Sequence, residues 1–197
     1  MPPEKMTVDR GICRKVDAVV DRALAERRIV GAVVLASQDG KPVYRRAAGF
    51  IDRETARPMP ADAIFRFSSL TKPIVAVAAL ALIDAGRAAL DQPTTDWLPD
   101  FRPRLPDGSI PVITIGHLLT HTAGLSYGFQ EPRGAQRYLA AGVSDGLDQP
   151  GLDLAENLRR VTTVPLSFSP GAGWAYSVAT DVLGDIVGLE RVHVPDL

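Results

Sequence analysis

The chain has 197 residues, of which 46% are hydrophobic and 23% are charged, a balance that is ordinary for a soluble globular protein. A formal net charge of −1 at pH 7 gives no reason to expect nucleic acid or an anionic membrane as a partner. Cys13 is the one cysteine and cannot form an internal disulfide, and no apolar run approaches the ~20 residues of a membrane span. No secretory signal is visible at the start of the sequence, so we expect a cytoplasmic protein.

The first predicted elements are a helix and a hairpin. Apolar residues recur at helical spacing over residues 9–28 and predict an amphipathic helix. Strands are predicted over Ala32–Ser37 and Val43–Ala48, joined at Asp39-Gly40, which is a strong signal for a two-residue hairpin. Residues 9–50 should therefore form a helix packed on an antiparallel sheet.

A long apolar helix is predicted next, from about Leu70 to Ala85, after a loop over residues 53–63. Gly86 is well placed to cap the C-terminus of this helix. Because the helix is apolar nearly all round, we expect it to be buried at the centre of the protein.

The second half of the chain is predicted to be helical with long loops. Thr114 should cap a short helix that runs to about Thr120 and is ended by Gly124. Residues 127–151 are rich in glycine and turn formers, which predicts a long loop with some helix. Two further helices are predicted, over about 153–160 and 178–187.

A possible nucleophile lies at the start of the long apolar helix. Ser69 and Lys72 form an S-x-x-K tetrad, and three residues apart on a helix their side chains lie on one face within mutual reach. Free N–H groups at a helix N-terminus favour negative charge on the serine, and a partly desolvated lysine can lose its proton and act as a base. A serine cap followed by a solvated lysine would give the same tetrad, so the context has to decide between the two interpretations.

A tyrosine at a second loop–helix junction could join this pair. Tyr176 follows the turn at Ser169-Pro170-Gly171 and precedes the last predicted helix. A phenol in that position can carry a proton from the nucleophile to the leaving group. A core tyrosine with its hydroxyl at the surface would give the same pattern.

Three stretches of the sequence together resemble one known family. Phe65–Lys72 looks like the nucleophile segment of the serine β-lactamase-related proteins, Ile113–Leu125 is similar to their long helix-and-turn signature, and Phe168–Ser177 resembles the segment that carries their catalytic tyrosine. The resemblance covers roughly residues 10–187. It implies one α+β domain over 1–197 with a β-lactamase/transpeptidase-like fold, in which 9–50 form the edge of an antiparallel sheet and 65–190 form a helical lobe.

The resemblance also implies roles for individual residues. Ser69 matches the acylated nucleophile, Lys72 the general base that activates it, and Tyr176 the second proton-transfer residue. The family's tyrosine motif often ends in asparagine, where this chain has Val178, and the loss of that amide favours esters over penicillins and peptides. We therefore expect a serine hydrolase of the class C-like esterase type that needs no cofactor or metal. A β-lactamase or a D-amino-acid peptidase is the alternative.

One part of the family pattern is missing from this sequence. A third motif, typically Lys-Thr-Gly, His-Ser-Gly or Trp-Gly-Gly, lies on a strand in the C-terminal half of the family fold, and that half is expected to be missing here. In the family this strand supplies one of two oxyanion N–H donors, and one such donor is worth ~3–4 kcal/mol of transition-state stabilisation. We expect this loss to impair activity, and a non-catalytic remnant that binds ligands or partners is a further alternative. The exposed edge of the sheet would then favour self-association.

Two other patterns in the sequence suggest different chemistry. Residues Gly124–Gly128 match G-x-S-x-G, the nucleophile elbow of α/β-hydrolases, with Ser126 as the serine and with Asp145 and His193 as possible triad partners. A helix-like segment precedes this motif where the elbow needs a strand, which argues against it.

The second pattern is a pair of histidines. His117 and His121 are four residues apart and could face one metal ion. No glutamate lies between them and no third ligand is evident, so we expect each ring to be hydrogen-bonded near the helix end in a structural role.

Overall fold

The structure, a computed structural model, describes residues 10–132, 134–149 and 151–192. The chain consists of two compact units that meet in the sequence between Arg66 and Phe67.

The first unit contains one helix and a small antiparallel sheet. Helix α1 spans Arg10–Ala25, and strands β1 (Gly31–Gln38), β2 (Lys41–Asp52) and β3 (Arg57–Pro58) lie in the order β1-β2-β3. The predicted helix and hairpin are confirmed, because β1 and β2 pair up to Gln38 opposite Lys41 around the predicted turn. Strand β3 lies within the segment predicted to be a loop, so that prediction was wrong for two residues.

Helix α1 is held on the sheet by an aspartate that bonds two side chains of β2. Asp17 accepts hydrogen bonds from the Tyr44 hydroxyl at 2.6 Å and from Arg46 Nη1 at 2.9 Å, and Arg46 also forms an ion pair with Asp21. These contacts confirm the predicted packing of a helix on the hairpin.

The second unit is helical. Helices α2 (Thr71–Asp84), α3 (Ile115–Leu119), α4 (Arg137–Ala140), α5 (Leu154–Thr163) and α6 (Ala179–Val192) are joined by loops and short 3₁₀ turns. Helix α6 is at the centre, because α2, α3 and α5 all pack against it. The most deeply buried side chains of the unit include Leu118, Val161, Val178 and Val182.

The expected central burial of α2 is wrong for the described structure. Of its side chains only Ala79 is buried, whereas Ile74 and Val77 are 58% and 66% exposed. One side of α2 packs on α6. A helix that is apolar all round does not indicate which of its faces will be covered, so the sequence identified an apolar helix but not its packing partner.

Helix α3 begins with the predicted cap but ends differently from the prediction. Thr114 accepts a hydrogen bond from the His117 N–H, and His117 Nδ1 accepts one from the Thr114 N–H, which completes a reciprocal capping box. At the other end His121 adopts a left-handed conformation with φ of 57°, and the N–H groups of His121 and Thr122 donate to Leu118 and His117. This is a Schellman motif with histidine in the position where glycine is usual. Gly124 is therefore not the residue that ends the helix.

Gly124 instead allows two segments of main chain to approach each other closely. The Ser167 N–H donates to the Gly124 carbonyl at 2.8 Å, and the Gly171 N–H donates to the Thr122 carbonyl at 2.9 Å. Gly124 has φ of +82°, and a Cβ atom there would lie 2.2 Å from the Phe168 carbonyl oxygen. Only glycine fits this position without displacing the backbone.

The substitution Gly124→Ala tests this close approach. We expect it to lower the free energy of unfolding by roughly 3 kcal/mol, because backbone strain and a clash with another main chain add together. Gly86→Ala is the matched control, since Gly86 also has positive φ but nothing lies within 4 Å of a Cβ there. The control should lose only about 1–2 kcal/mol. Urea unfolding measures both values, and equal losses would contradict the role given to the Phe168 carbonyl.

Candidate active site

Ser69 lies in a 3₁₀ turn, Ser68–Leu70, that leads directly into α2. Its side chain is exposed, and its hydroxyl has no hydrogen-bond partner among the residues that the structure describes. The preceding residue, Ser68, has φ of +48°, a conformation that is costly for a residue other than glycine and is often found at functional sites. The turn therefore presents a free hydroxyl at the N-terminal end of α2, where the helix dipole favours negative charge.

Lys72 lies in the first turn of α2 between two tyrosines. Its Nζ atom donates a hydrogen bond to the Tyr127 hydroxyl at 2.8 Å, and it lies 5.0 Å from the ring centroid of Tyr176. The same atom lies 5.3 Å from the ring centroid of Tyr127. The structure thus brings together two of the predicted site residues, Lys72 and Tyr176, and adds Tyr127 to them.

The surroundings of Lys72 favour its charged form. Burial is the largest single influence and opposes the charge, but the hydrogen bond to Tyr127 and the nearby tyrosines and Asp181 outweigh it, so the pKa of Lys72 is raised above its ordinary value. Desolvation alone was expected to lower that pKa. Lys72 therefore begins as an ammonium ion, and it has to give up a proton before it can accept one from a serine.

Tyr127 is the site residue that the sequence did not identify. It is buried, its ring stacks on Phe129 at 4.9 Å, and burial raises the pKa of its phenol. Tyr127 directly follows Ser126 inside the G-x-S-x-G match, a motif that points to its serine and not to the tyrosine beside it. The signal in the sequence that could have identified Tyr127 is its position just after the helix-and-turn stretch.

The alternative nucleophile is enclosed in the structure. Ser126 is 7% exposed, its hydroxyl donates to the Tyr127 carbonyl at 3.3 Å, and its N–H donates to the Tyr138 hydroxyl at 2.8 Å. The Asp145 carboxylate accepts from the Leu147 N–H, and His193 lies outside the described residues. In the described part of the chain no triad forms around Ser126.

His117 in α3 and His121 just after it are both hydrogen-bonded near the ends of the helix, as expected. His117 takes part in the N-terminal capping box, and His121 Nδ1 lies 3.2 Å from the Ser177 hydroxyl. A search of the described residues finds no cluster of metal-ligating side chains. In that same part of the chain, no helix has both the length and the apolar character to cross a membrane.

The comparisons with known proteins assign this chain to a family. The family model described as Beta-lactamase matches residues 16–189, so the chain belongs to the beta-lactamase family. It is 53% identical over 188 residues to esterase EstB of Burkholderia gladioli, a match that covers 95% of this chain and 48% of that protein. The chain spans about half the length of the curated relatives it matches.

Solved structures confirm the predicted β-lactamase/transpeptidase-like fold. EstCE1, a hydrolase with promiscuous acyltransferase activity, superposes with a TM-score of 0.86 at 39% identity, over 93% of this chain and 48% of that one. The simvastatin synthase LovD of Aspergillus terreus superposes with a TM-score of 0.67 at 29% identity, over 91% of this chain and 49% of that one. The expected family resemblance is therefore confirmed.

The substitution Tyr127→Phe tests the origin of the charge on Lys72. It removes the hydrogen-bond acceptor but leaves Lys72 partly buried, so we expect the pKa of Lys72 to fall. NMR titration of isotopically labelled lysine, with the Lys72 signal assigned through Lys72→Arg, measures this pKa. Because the pKa of Lys72 is raised in the folded protein, its charged form stabilises the fold. This contribution to the free energy of unfolding is complete below the ordinary lysine pKa and is lost as the pH rises through the raised value. Tyr44→Phe, in the first unit, is the control, and an unchanged Lys72 pKa in Tyr127→Phe would contradict the assignment.

Proposed function

We propose that the protein is a serine hydrolase that cleaves small esters through a covalent acyl ester on Ser69. The observation that carries this proposal is the placement of the Lys72 ammonium between two phenols, one helical turn from an exposed serine at the start of α2. The 53% identity to an esterase supports the choice of esters.

The proposed reaction uses the described residues in named roles. The Ser69 oxygen attacks the ester carbonyl and passes its proton to Lys72, once Lys72 has released a proton through the neighbouring phenols. The bond from the carbonyl carbon to the alcohol oxygen breaks, Tyr176 delivers a proton to the departing alkoxide and takes one back from Lys72, and the acyl group stays on Ser69. Water, activated by the same groups, attacks the acyl ester and releases the carboxylic acid and the free serine. An alcohol in place of water would give acyl transfer.

The last position of the tyrosine motif supports esters over β-lactams and D-peptides. Val178 occupies the place where the family often has asparagine, and its side chain is fully buried in the core of the second unit. A buried apolar side chain offers no amide to an amide-bearing substrate. The β-lactamase or peptidase alternative therefore has less support than the esterase, and a non-catalytic binding role remains the alternative if Ser69 does not react.

The reactivity of Ser69 is tested with a fluorophosphonate probe. We expect intact mass and peptide mapping to show one label on Ser69, and Ser69→Ala to abolish it. Lys72→Ala and Tyr176→Phe should each slow labelling and the hydrolysis of a reactive ester by ~10²-fold or more, as loss of acid–base help usually does. Their melting temperatures should change little.

Ser126→Ala is the matched control for this experiment, because it removes the hydroxyl of the competing motif. It should leave the site and rate of labelling unchanged. Labelling at Ser126, or unchanged rates in folded Lys72→Ala and Tyr176→Phe, would contradict the proposed roles. Absence of any labelling in folded protein would support the non-catalytic alternative.

We further propose that the chain self-associates through the edge of its sheet. Among the described strands β1 pairs with β2 alone, and the free N–H and C=O groups of an edge strand can pair with another chain. Leu35 in β1 is 65% exposed, so Leu35→Lys should reduce the mass measured by light scattering. Val112→Lys, at a residue of the second unit that is 63% exposed, is the control and should not change it. A monomeric unmodified chain would contradict the proposal.

A further inference from the structure

His121 occupies a backbone position that does not suit it. It is the left-handed residue of the Schellman motif at the end of α3, with φ of 57°. Glycine is the usual residue there, because a side chain makes this conformation costly. Histidine therefore places an imidazole ring at the end of α3, where glycine would leave none.

The contacts of His121 converge on the two neighbours of Tyr176. Its main-chain carbonyl accepts a hydrogen bond from the Ala175 N–H at 3.0 Å, and its Nδ1 atom accepts one from the Ser177 N–H at 3.3 Å. The same Nδ1 atom lies 3.2 Å from the Ser177 hydroxyl, whose residue is 1% exposed. One residue thus holds the main chain on both sides of the tyrosine.

The ring of His121 also lies against the tyrosine itself. The ring centroids of His121 and Tyr176 are 4.9 Å apart, and Trp174 meets the same imidazole edge-on at 6.3 Å. Tyr176 is therefore fixed in direction by its two neighbours and in position by the imidazole.

We propose that His121 is a positioning residue that holds Tyr176 against Lys72, and that it does so as the neutral tautomer with its proton on Nε2. This inference rests on the proposed function of Tyr176. An N–H donor needs a lone pair on Nδ1, so a proton on that atom would break the contact with the Ser177 N–H.

The surroundings of His121 favour the neutral ring. Burial, followed by the positive charge of Lys72 on α2, lowers the pKa of His121 below its ordinary value. The titratable and charged groups that face the ring are Lys72, from α2, and the Tyr176 phenol, from the loop before α6. No carboxylate of the described residues forms an ion pair with His121, so the neutral form persists into mildly acidic solution.

Two substitutions separate positioning from stability. His121→Gly removes the imidazole and its hydrogen bond to the buried Ser177 N–H, but glycine suits the left-handed backbone. Because these two effects oppose each other, the protein should remain folded and its melting temperature should change little. We expect it to slow fluorophosphonate labelling of Ser69 at least ~10-fold, because misplaced groups lose that much or more. His117→Gln is the control, since glutamine preserves the capping box of α3, and it should label at the normal rate.

A double substitution tests whether His121 acts through Tyr176. In the Tyr176→Phe background, His121→Gly should cause little further loss, since the group that it positions no longer carries a proton. In the unmodified protein, the labelling rate should fall as the pH is lowered and His121 becomes protonated, and this fall should be absent in His121→Gly. Additive losses in the double variant, or the same fall at low pH in His121→Gly, would overturn the proposal.

A measurement without activity distinguishes this proposal from the proposed function. Nitrogen NMR should show the Nε2-protonated tautomer of His121, and amide exchange at Ser177 should accelerate in His121→Gly. Exchange at Ala175 is the internal control, because its partner is the main-chain carbonyl of residue 121, which the substitution keeps. If these signals behave as expected while Tyr176→Phe labels normally, the positioning contact exists and the proton-transfer role of Tyr176 fails. If the tautomer is reversed, or the Ser177 amide is unaffected, the positioning role of His121 fails whatever the activity.

Discussion

Main-chain hydrogen bonds between two loop segments hold the candidate site together. The segment from His121 to Ser126 accepts bonds from the segment between Ser167 and Val178, and Gly124 allows the close approach that these bonds need. Tyr127 directly follows the first segment, and Tyr176 lies within the second. Because both segments are fixed to each other, the two tyrosine rings both lie close to the Lys72 ammonium, with their ring centroids 5.6 Å apart.

This arrangement leaves the charge of Lys72 without an acidic partner. No described carboxylate lies within ion-pair distance of Nζ, and Asp181 acts on it only through space, with a carboxyl pKa that burial raises. The ammonium is stabilised by a neutral phenol oxygen and by two ring faces, which attract a cation but do not neutralise it. Under the proposed function, the first full negative charge to approach Lys72 would be the one that develops on Ser69 and on the substrate.

Local patterns in the sequence were sufficient for much of the fold. The period of α1, the Asp39-Gly40 turn and the Thr114 cap each depend on residues close in sequence, and each was predicted correctly. The failures concern contacts between distant residues. The central position of α6 and the exposure of α2 depend on which helix faces which, and β3 depends on pairing with a strand already formed. Helix and strand periods carry no information on these partners.

The candidate site shows the same difference between local patterns, which were predicted, and contacts between distant residues, which were not. Ser69, Lys72 and Tyr176 were found because each lies in a short stretch that resembles a known family. Tyr127 and the role proposed for His121 were not found, because they consist of contacts across 55 and 56 residues of sequence. Motifs identified the groups that we propose to react, whereas the groups that we propose to set their charge and direction are recognised by distance, burial and backbone conformation. A left-handed histidine in a glycine position is such a signal, and it becomes visible only once the backbone is known.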